Sequence, residues 1–447
     1  MLLEALSRFN EFFTLFFVFP ALLLLGIYLT WRLKFIQITK MGAAFSLVFK
    51  KGEKGEEGDI THYQAVSTVL ASNFGTGNIS GMAVALSVGG PGALVWMWVM
   101  CFLGSIVQFA NCLLGVKYRK KLESGEHVGG PMYYFCEGMG LKSLGTAYSL
   151  IVIIAAFAVG NFVQVNSLAL PLAEMGVPGW VVGGVLSVLV ALVVVGGMGR
   201  VAKVSAAVVP VMGLLYFGAA LVVLVLFADQ LPTAIVTLFR SAFGGSSLLG
   251  GAMGFTVLKS LTTGFDRAIF ATDAGTGTAP MLQSGAKTKD PVIDGIVSLV
   301  APFMVMIVCS VTALVLLVSG VPAEPGLQST GLILHAFHKG IGQTFGSTIV
   351  ITALVLFGYT TILTWATCLD RAIIYLWGPS WTRPFRLLYI LVVPLGALMR
   401  VDLVWILADL SLTSLLLLNL IGVTSLSREV IADSNRFFRP ELETSAL

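Results

Sequence analysis

Along the chain, apolar runs of about 20 residues, enough to span roughly 30 Å of hydrocarbon, alternate with short polar intervals. Eleven such runs can be counted: 11–31, 62–88, 92–116, 144–170, 177–196, 203–227, 250–285, 292–319, 345–370, 384–400 and 401–425. Each predicts a transmembrane helix, and no interval is long enough for a soluble domain, so residues 1–447 read as one all-α integral membrane unit. Between the first two runs, Phe35, Met41, Phe45 and Phe49 lie beside Lys34, Lys40, Lys50 and Lys51, a pattern that predicts a helix on the membrane surface. The charged run KKGEKGEEGD that follows reads as a solvated loop.

Two runs are interrupted. In ASNFGTGNISGMAVALSVGGPGALVWMW (71–98) an apolar helix is broken at Gly75-Thr76-Gly77-Asn78, resumes from Ile79 to Val88 and turns at Gly89-Gly90-Pro91-Gly92. The run 250–285 carries Thr262-Thr263-Gly264, then Gly275-Thr276-Gly277 and Pro280, and is expected to break at both places. These interrupted runs open two sets of five, 62–227 and 250–425, after one additional helix at 11–31 and before a tail at 426–447. Because five is odd, the second set must cross the bilayer inverted. Matched interruptions in two halves point to a midplane binding site of a secondary transporter. The competing explanation is that glycine lets membrane helices pack closely.

Charge adds topology. Of the 27 Lys and Arg, 21 fall on one side of the eleven-helix arrangement, in the intervals 32–60, 117–145, 198–203, 285–290, 371–391 and 426–447. The positive-inside rule then puts the N-terminus outside and the C-terminus in the cytoplasm of a cell inner membrane. No signal-peptide pattern precedes 11–31, which is expected to remain as a helix. With 11% charged residues against about 25% in soluble proteins, the net charge of +4 gives no reason to expect nucleic acid. Five scattered cysteines make no C-x-x-C pair, and His335 and His338, the nearest approach to metal spacing, are expected in a loop.

Chemistry is expected where polar atoms interrupt apolar helices. A freed backbone can offer N–H groups to a carboxylate and carbonyls to a cation. Gly75, Gly77 and Asn78 fit the first role and the carbonyls of Ala71 and Phe74 the second; Asn78 can equally cap the resumed half-helix. Asn161 and Gln164 share a face in AVGNFVQVNSLAL, and Gln164 offers donor and acceptor to an amino acid, with interhelical bonding as the alternative. Asp266, Arg267 and Asp273 are ionisable groups at membrane depth; Asp273, beside the second glycine pair, is the candidate for an ammonium group or a cation. Gly264 and Trp365 complete the candidate substrate set. Thr360 and Thr361 bring hydroxyl oxygens suited to a hard cation, although threonines in membrane helices also bond back to their own carbonyls. Phosphate-loop, G-x-S-x-G and H-E-x-x-H patterns are absent from the sequence. Asp266, Asp273 and His127 make no convergent catalytic set, so no enzyme and no cofactor are expected.

GTGNISG with GGPGALVWMW, VGGPMYYFCEGMG (128–140), GNFVQVNS and GGMGRVAKVSAAVVPVMGLLY (196–216) together resemble the alanine or glycine:cation symporter family. The resemblance runs from about Leu25 to Arg371. It implies a leucine-transporter-type five-plus-five fold after one extra helix, with Gly75, Gly77, Asn78 and Gln164 on the amino acid and Ala71, Phe74, Thr360 and Thr361 on sodium. Val95, Cys101 and Ala206 depart from the pattern in single positions. The family's R-G-x-F-S-N-E-A-G-x-G-S-A-P reads RAIFATDAGTGTAP here, so Asp273 stands for Glu, while Thr364 and Asp370 depart in the ninth helix. The expectation is a sodium-coupled importer of a small neutral amino acid, alanine or glycine including D-alanine, working by alternating access with no obligate protein partner. The altered block leaves open a proton-coupled transporter, or one of other specificity, on the same fold.

Overall fold

The computed structural model describes residues 2–50, 57–244, 257–321 and 329–438. Most of the charged run at 50–59, the first seven positions of 250–285 and the end of the tail lie outside them. The described residues are mostly helical, with one two-residue hairpin, Lys120–Lys121 against His127–Val128, and two isolated bridges, Glu57–Thr288 and Ile60–Ala286.

Among the described residues, seven helices are long and apolar enough to cross a membrane: Leu3–Arg32, Ala93–Lys117, Lys142–Glu174, Gly197–Leu226, Pro291–Val318, Gln343–Trp377 and Val401–Ser425. The other four runs fold as shorter pieces. Residues 62–88 form His62–Asn73 and Ser80–Gly89; 177–196 forms Gly179–Val194; 250–285 contributes Val257–Thr272 and Thr278–Gln283; and 384–400 contributes Thr382–Leu391 and Val393–Gly396. Further helices that the apolar pattern did not announce are Leu231–Phe243, Thr330–Ile341 and Ser427–Phe438.

Burial follows composition. Ala93–Lys117 is apolar on all sides, and every residue from 103 to 116 is buried, as expected for a helix in the middle of a bundle. Gly179–Val194 and Gly197–Leu226 instead expose Val185, Val188, Leu192, Leu214 and Val225, an outward apolar face suited to lipid. The segment 36–48, read as a surface helix, is two short helices, Ile36–Thr39 and Met41–Val48.

Two expectations are corrected. Thr262–Gly264 does not interrupt its helix, which runs unbroken from Val257 to Thr272. A Cβ at Gly264 would lie 2.5 Å from the Ala93 carbonyl oxygen and 2.8 Å from Trp96 Cβ, so this glycine permits close helix packing and takes no part in a break. His335 and His338 lie in Thr330–Ile341 and not in a loop.

Candidate functional site

The first broken helix starts from a reciprocal cap. The Gln64 N–H donates to Thr61 Oγ1 at 3.2 Å and the Thr61 N–H to Gln64 Oε1 at 3.0 Å, which satisfies two of the donors a helix start leaves open. The helix ends at Phe74; Gly75 is extended, Thr76–Asn78 make one 3-10 turn, and Ser80–Gly89 resumes. Ala71 has thereby lost its place in the helical ladder, and its carbonyl accepts from Thr361 Oγ1 at 2.9 Å. A longer contact of 3.4 Å reaches the Ser72 carbonyl. The Gly75 N–H has no acceptor among the described residues.

Gln164 holds the break from the other side. Its Oε1 accepts from both the Thr76 N–H and Thr76 Oγ1 at 3.0 Å, while its Nε2 donates to the Val159 carbonyl at 3.0 Å. Val159 belongs to a π turn, Ala158–Phe162, inside the long helix Lys142–Glu174. A π turn inserts a residue and re-aims side chains, which is why such turns recur at functional sites. Here it brings Gly160 against Trp365, whose Cβ would lie 2.2 Å from a Cβ at that position. Trp365 is fully buried and its Nε1 has no partner among the described residues.

Asn78 does not cap the resumed half-helix, which starts after Ile79 without a side-chain cap. Its Nδ2 reaches back to the Asn73 carbonyl at 2.5 Å and the Gly75 carbonyl at 3.4 Å, and its Oδ1 accepts from Cys309 Sγ at 3.2 Å. Gly77 faces the Phe270 ring, 2.4 Å from where its Cβ would be. Phe74 stacks on Phe357 with 5.7 Å between ring centroids.

The second break spans 273–277 and lies against the first, because Asn73 Nδ2 donates to the Thr272 carbonyl at 2.7 Å. Asp273, Gly275 and Gly277 have φ of 48°, 89° and 90°, natural for glycine and strained for Asp273. Among the bonds that hold this turn are Thr276 Oγ1 to the Asp273 carbonyl at 2.6 Å, Tyr148 OH to the Thr276 carbonyl at 2.7 Å and Asn419 Nδ2 to the Gly275 carbonyl at 2.6 Å. Asp273 is buried within this turn.

The structure therefore brings together Ala71, Gly75, Gln164 and Thr361 at one break, with Gly77 and Asn78 beside them and Asp273 and Trp365 on adjoining elements. Thr360 is placed differently: its hydroxyl donates to the Leu356 and Phe357 carbonyls and faces Met212 Sδ at 3.6 Å. Sequence reasoning missed Asn73, Thr76, Tyr148, Phe270 and Asn419. Asn419, a lone amide in LLLLNLIG, is the one whose signal was plain.

On one flank, Arg267 Nη2 contacts both carboxylate oxygens of Asp409 at 3.2 Å, and its guanidinium lies over the Trp405 ring at 4.9 Å. A polar cavity of about 130 Å³ opens beside this pair, lined also by Glu11, Lys259 and Asp266. On the other flank, the chain entering the first broken helix pairs with the chain leaving the second through bridges Glu57–Thr288 and Ile60–Ala286. Arg119 clasps both strands, donating to the carbonyls of Ser284, Ala286 and Glu57 at 3.1, 2.9 and 2.9 Å.

A model of the sodium:alanine symporter family matches residues 1–445. An uncharacterized transporter of Haemophilus influenzae is 39% identical over 426 residues, covering 94% of this chain and 93% of that one. The sodium/alanine symporter AgcS of Methanococcus maripaludis is 38% identical over 420 residues, 92% of each. Among solved structures, a manganese transporter of Eremococcus coleocola superposes with a TM-score of 0.50 at 14% identity, covering 86% of this chain and 82% of that chain. At that identity the likeness concerns the fold alone.

Proposed function

Since the chain belongs to the sodium:alanine symporter family and is therefore a multi-pass transporter of amino acids coupled to a cation, not an enzyme, we propose that sodium is the coupling ion and a small neutral amino acid, alanine or glycine, the cargo. The observation that carries this reading is the meeting of Thr361 Oγ1 with the Ala71 carbonyl at the break, 2.9 Å apart. Two oxygens from separate helices converge where a helix has released its backbone, an arrangement suited to a small hard cation. In this reading the Phe74 carbonyl adds to the ion's surroundings, and Thr360, whose hydroxyl is bonded back to the Leu356 and Phe357 carbonyls, does not. The ion ties the first broken helix to Gln343–Trp377, which forms the adjoining amino-acid pocket, so ion and substrate each raise the other's affinity.

The substrate carboxylate is assigned to the backbone N–H groups at Gly75 and Gly77, with Asn78 and Gln164 fixing the break and Asp273 facing the ammonium group. Trp365 bounds the pocket and offers its unpartnered Nε1. Small cargo is supported by the crowding: a Cβ at Gly75 would already lie 3.0 Å from Gln164 Oε1 and 3.2 Å from Thr361 Oγ1. No cofactor is assigned. The proposed topology is eleven crossings, one helix plus two inverted sets of five, in the cell inner membrane, with the N-terminus outside and the Arg119 flank cytoplasmic.

The test is uptake of labelled alanine into proteoliposomes under an imposed sodium gradient, then with the gradient collapsed, with unlabelled glycine, serine and D-alanine as competitors. Accumulation that needs the gradient supports the reading. Accumulation driven by a proton gradient without sodium overturns the choice of ion, and accumulation of a different amino acid overturns the choice of cargo.

A further inference from the structure

At the foot of the first broken helix lies a buried carboxylate that the transport site does not use. Asp294, on Pro291–Ser298, is fully buried, and neither of its oxygens has a hydrogen-bond partner among the described residues. His62, the first residue of His62–Asn73, is 8% exposed and places Nδ1 3.6 Å from Asp294 Oδ1. Gln283 is fully buried as well; its Nε2 donates to the Asp294 carbonyl at 2.7 Å while its Oε1 is unpartnered.

We propose that His62 and Asp294 form a proton-binding site that holds one proton while this foot is closed and releases it to the cytoplasm when the foot opens. An ionised carboxylate buried without hydrogen bonds is costly. One proton shared by the pair removes the net charge whether it sits on the imidazole or on the carboxyl group. No covalent bond other than the one to the proton forms or breaks, and the proton leaves to water.

Other groups near Asp294 leave this charge unneutralised: the Thr288 hydroxyl and the Gln283 amide approach its carboxylate but are themselves uncharged. From Ala93–Lys117 and the turn after it come Cys112 and Arg119, and Arg119 gives its donors to three backbone carbonyls. Asp290, the cap of the same helix, adds negative charge. Met41–Val48 carries no ionisable residue and Val300–Val318 only Cys309. On Ser427–Phe438, Glu429 and Asp433 are paired with Lys117 and Asp433 also with Arg436, while Arg428 completes that helix's charges. The pair joins the first broken helix to the helix that follows the second, so opening the foot separates its members and exposes both to solvent. Proton release is thereby linked to the transport cycle; the inference rests on the transporter reading for its use, not for the site.

Two measurements on the full chain decide it. The proton is released to the cytoplasmic side on opening and taken back from it on closing, so no net proton is carried; sodium-driven alanine uptake in proteoliposomes is instead expected to change with the internal pH. Asp294→Asn and His62→Gln are expected to lose that pH dependence while still accumulating alanine. Wild-type uptake independent of internal pH, or a dependence that survives both substitutions, overturns the site, whereas failure to accumulate alanine at all counts against the proposed function. The second measurement needs no substrate: hydrogen exchange over 62–73 in the wild type, divided by that of Asp294→Asn at the same pH. This ratio is expected to rise about tenfold per pH unit between the midpoint of the opened, solvated pair and that of the closed pair, as one-proton linkage requires. A ratio flat from pH 6 to pH 9, a range chosen as roughly that bracketing histidine titration, overturns the proposal.

Discussion

Thr361 contributes one hydroxyl group to the meeting of two helices, and its role can be separated from packing. Replacement by Val keeps the branched shape and removes the oxygen. Thr361→Val is expected to raise the sodium concentration for half-maximal uptake by about tenfold, the equivalent of roughly 1.4 kcal/mol, with a smaller change in alanine affinity at saturating sodium. Uptake measured against sodium concentration decides this; an unchanged sodium dependence would remove Thr361 from the ion site. Asn78 acts differently, because its amide bridges the Asn73 and Gly75 carbonyls. Asn78→Ala leaves buried acceptors unmatched, at about 1–3 kcal/mol, and is expected to weaken alanine affinity about tenfold, read from competition uptake at fixed sodium. These residues were legible because polar atoms in apolar helices need partners, which drew notice to Asn78, Gln164 and Thr361. Thr76 hid in the glycine pair that flanks it, and Phe270 looked like any core aromatic until Gly77 was found beneath its ring. Gly264 was misread because glycine serves close packing and helix breaking alike, and only the backbone path separates the two.

At the scale of elements, the two breaks differ in how they are made. The first uses an extended Gly75 and one 3-10 turn; the second uses three positive φ values, one of them at a residue that bears a side chain. An L-residue in this region costs about 1–2 kcal/mol, and β-branched residues tolerate it least. Asp273→Val is therefore expected to lower the thermal midpoint of the detergent-solubilised protein relative to Asp273→Gly, although both lose the carboxylate. Equal midpoints in a scanning fluorescence melt would show that the turn stores no strain at 273. Both breaks were legible in outline from their glycines. The π turn at Ala158–Phe162 was not, since one inserted residue leaves no trace in a stretch that is apolar on most sides. The helix holding His335 and His338 was also lost, because its two histidines, lysine and glycines read as a polar interval.

On the scale of the whole molecule, the broken helices are pinned together at their middle and tied differently on each flank. Asn73 on the Thr272 carbonyl joins the two breaks; the Arg267–Asp409 pair spans one flank and the Arg119 clasp the other. The apolar runs announced the long helices and the Lys and Arg distribution the proposed cytoplasmic side, but neither could foretell that segments 57–60 and 285–288 meet, since both are short polar intervals far apart in sequence. Alternating access requires one of these ties to yield while the other holds. Arg119 is the stronger candidate to control its flank, because one guanidinium bonds carbonyls from both strands, and hydrogen bonds from a charged group are worth roughly 1.5–3 kcal/mol each. Ser284 reports on the clasp: it is fully buried, its carbonyl accepts from Arg119 and its own hydroxyl has no partner among the described residues. In a Ser284→Cys background, Arg119→Ala is expected to raise the rate of alkylation by a membrane-impermeant maleimide about tenfold, the effect of about 1.4 kcal/mol on an opening equilibrium. The reagent must reach the proposed cytoplasmic face, as in inside-out vesicles, and Arg267→Ala should slow the same labelling or leave it unchanged, because loosening the opposite flank does not favour opening here. Faster labelling from Arg267→Ala, with none from Arg119→Ala, would exchange the roles of the two flanks.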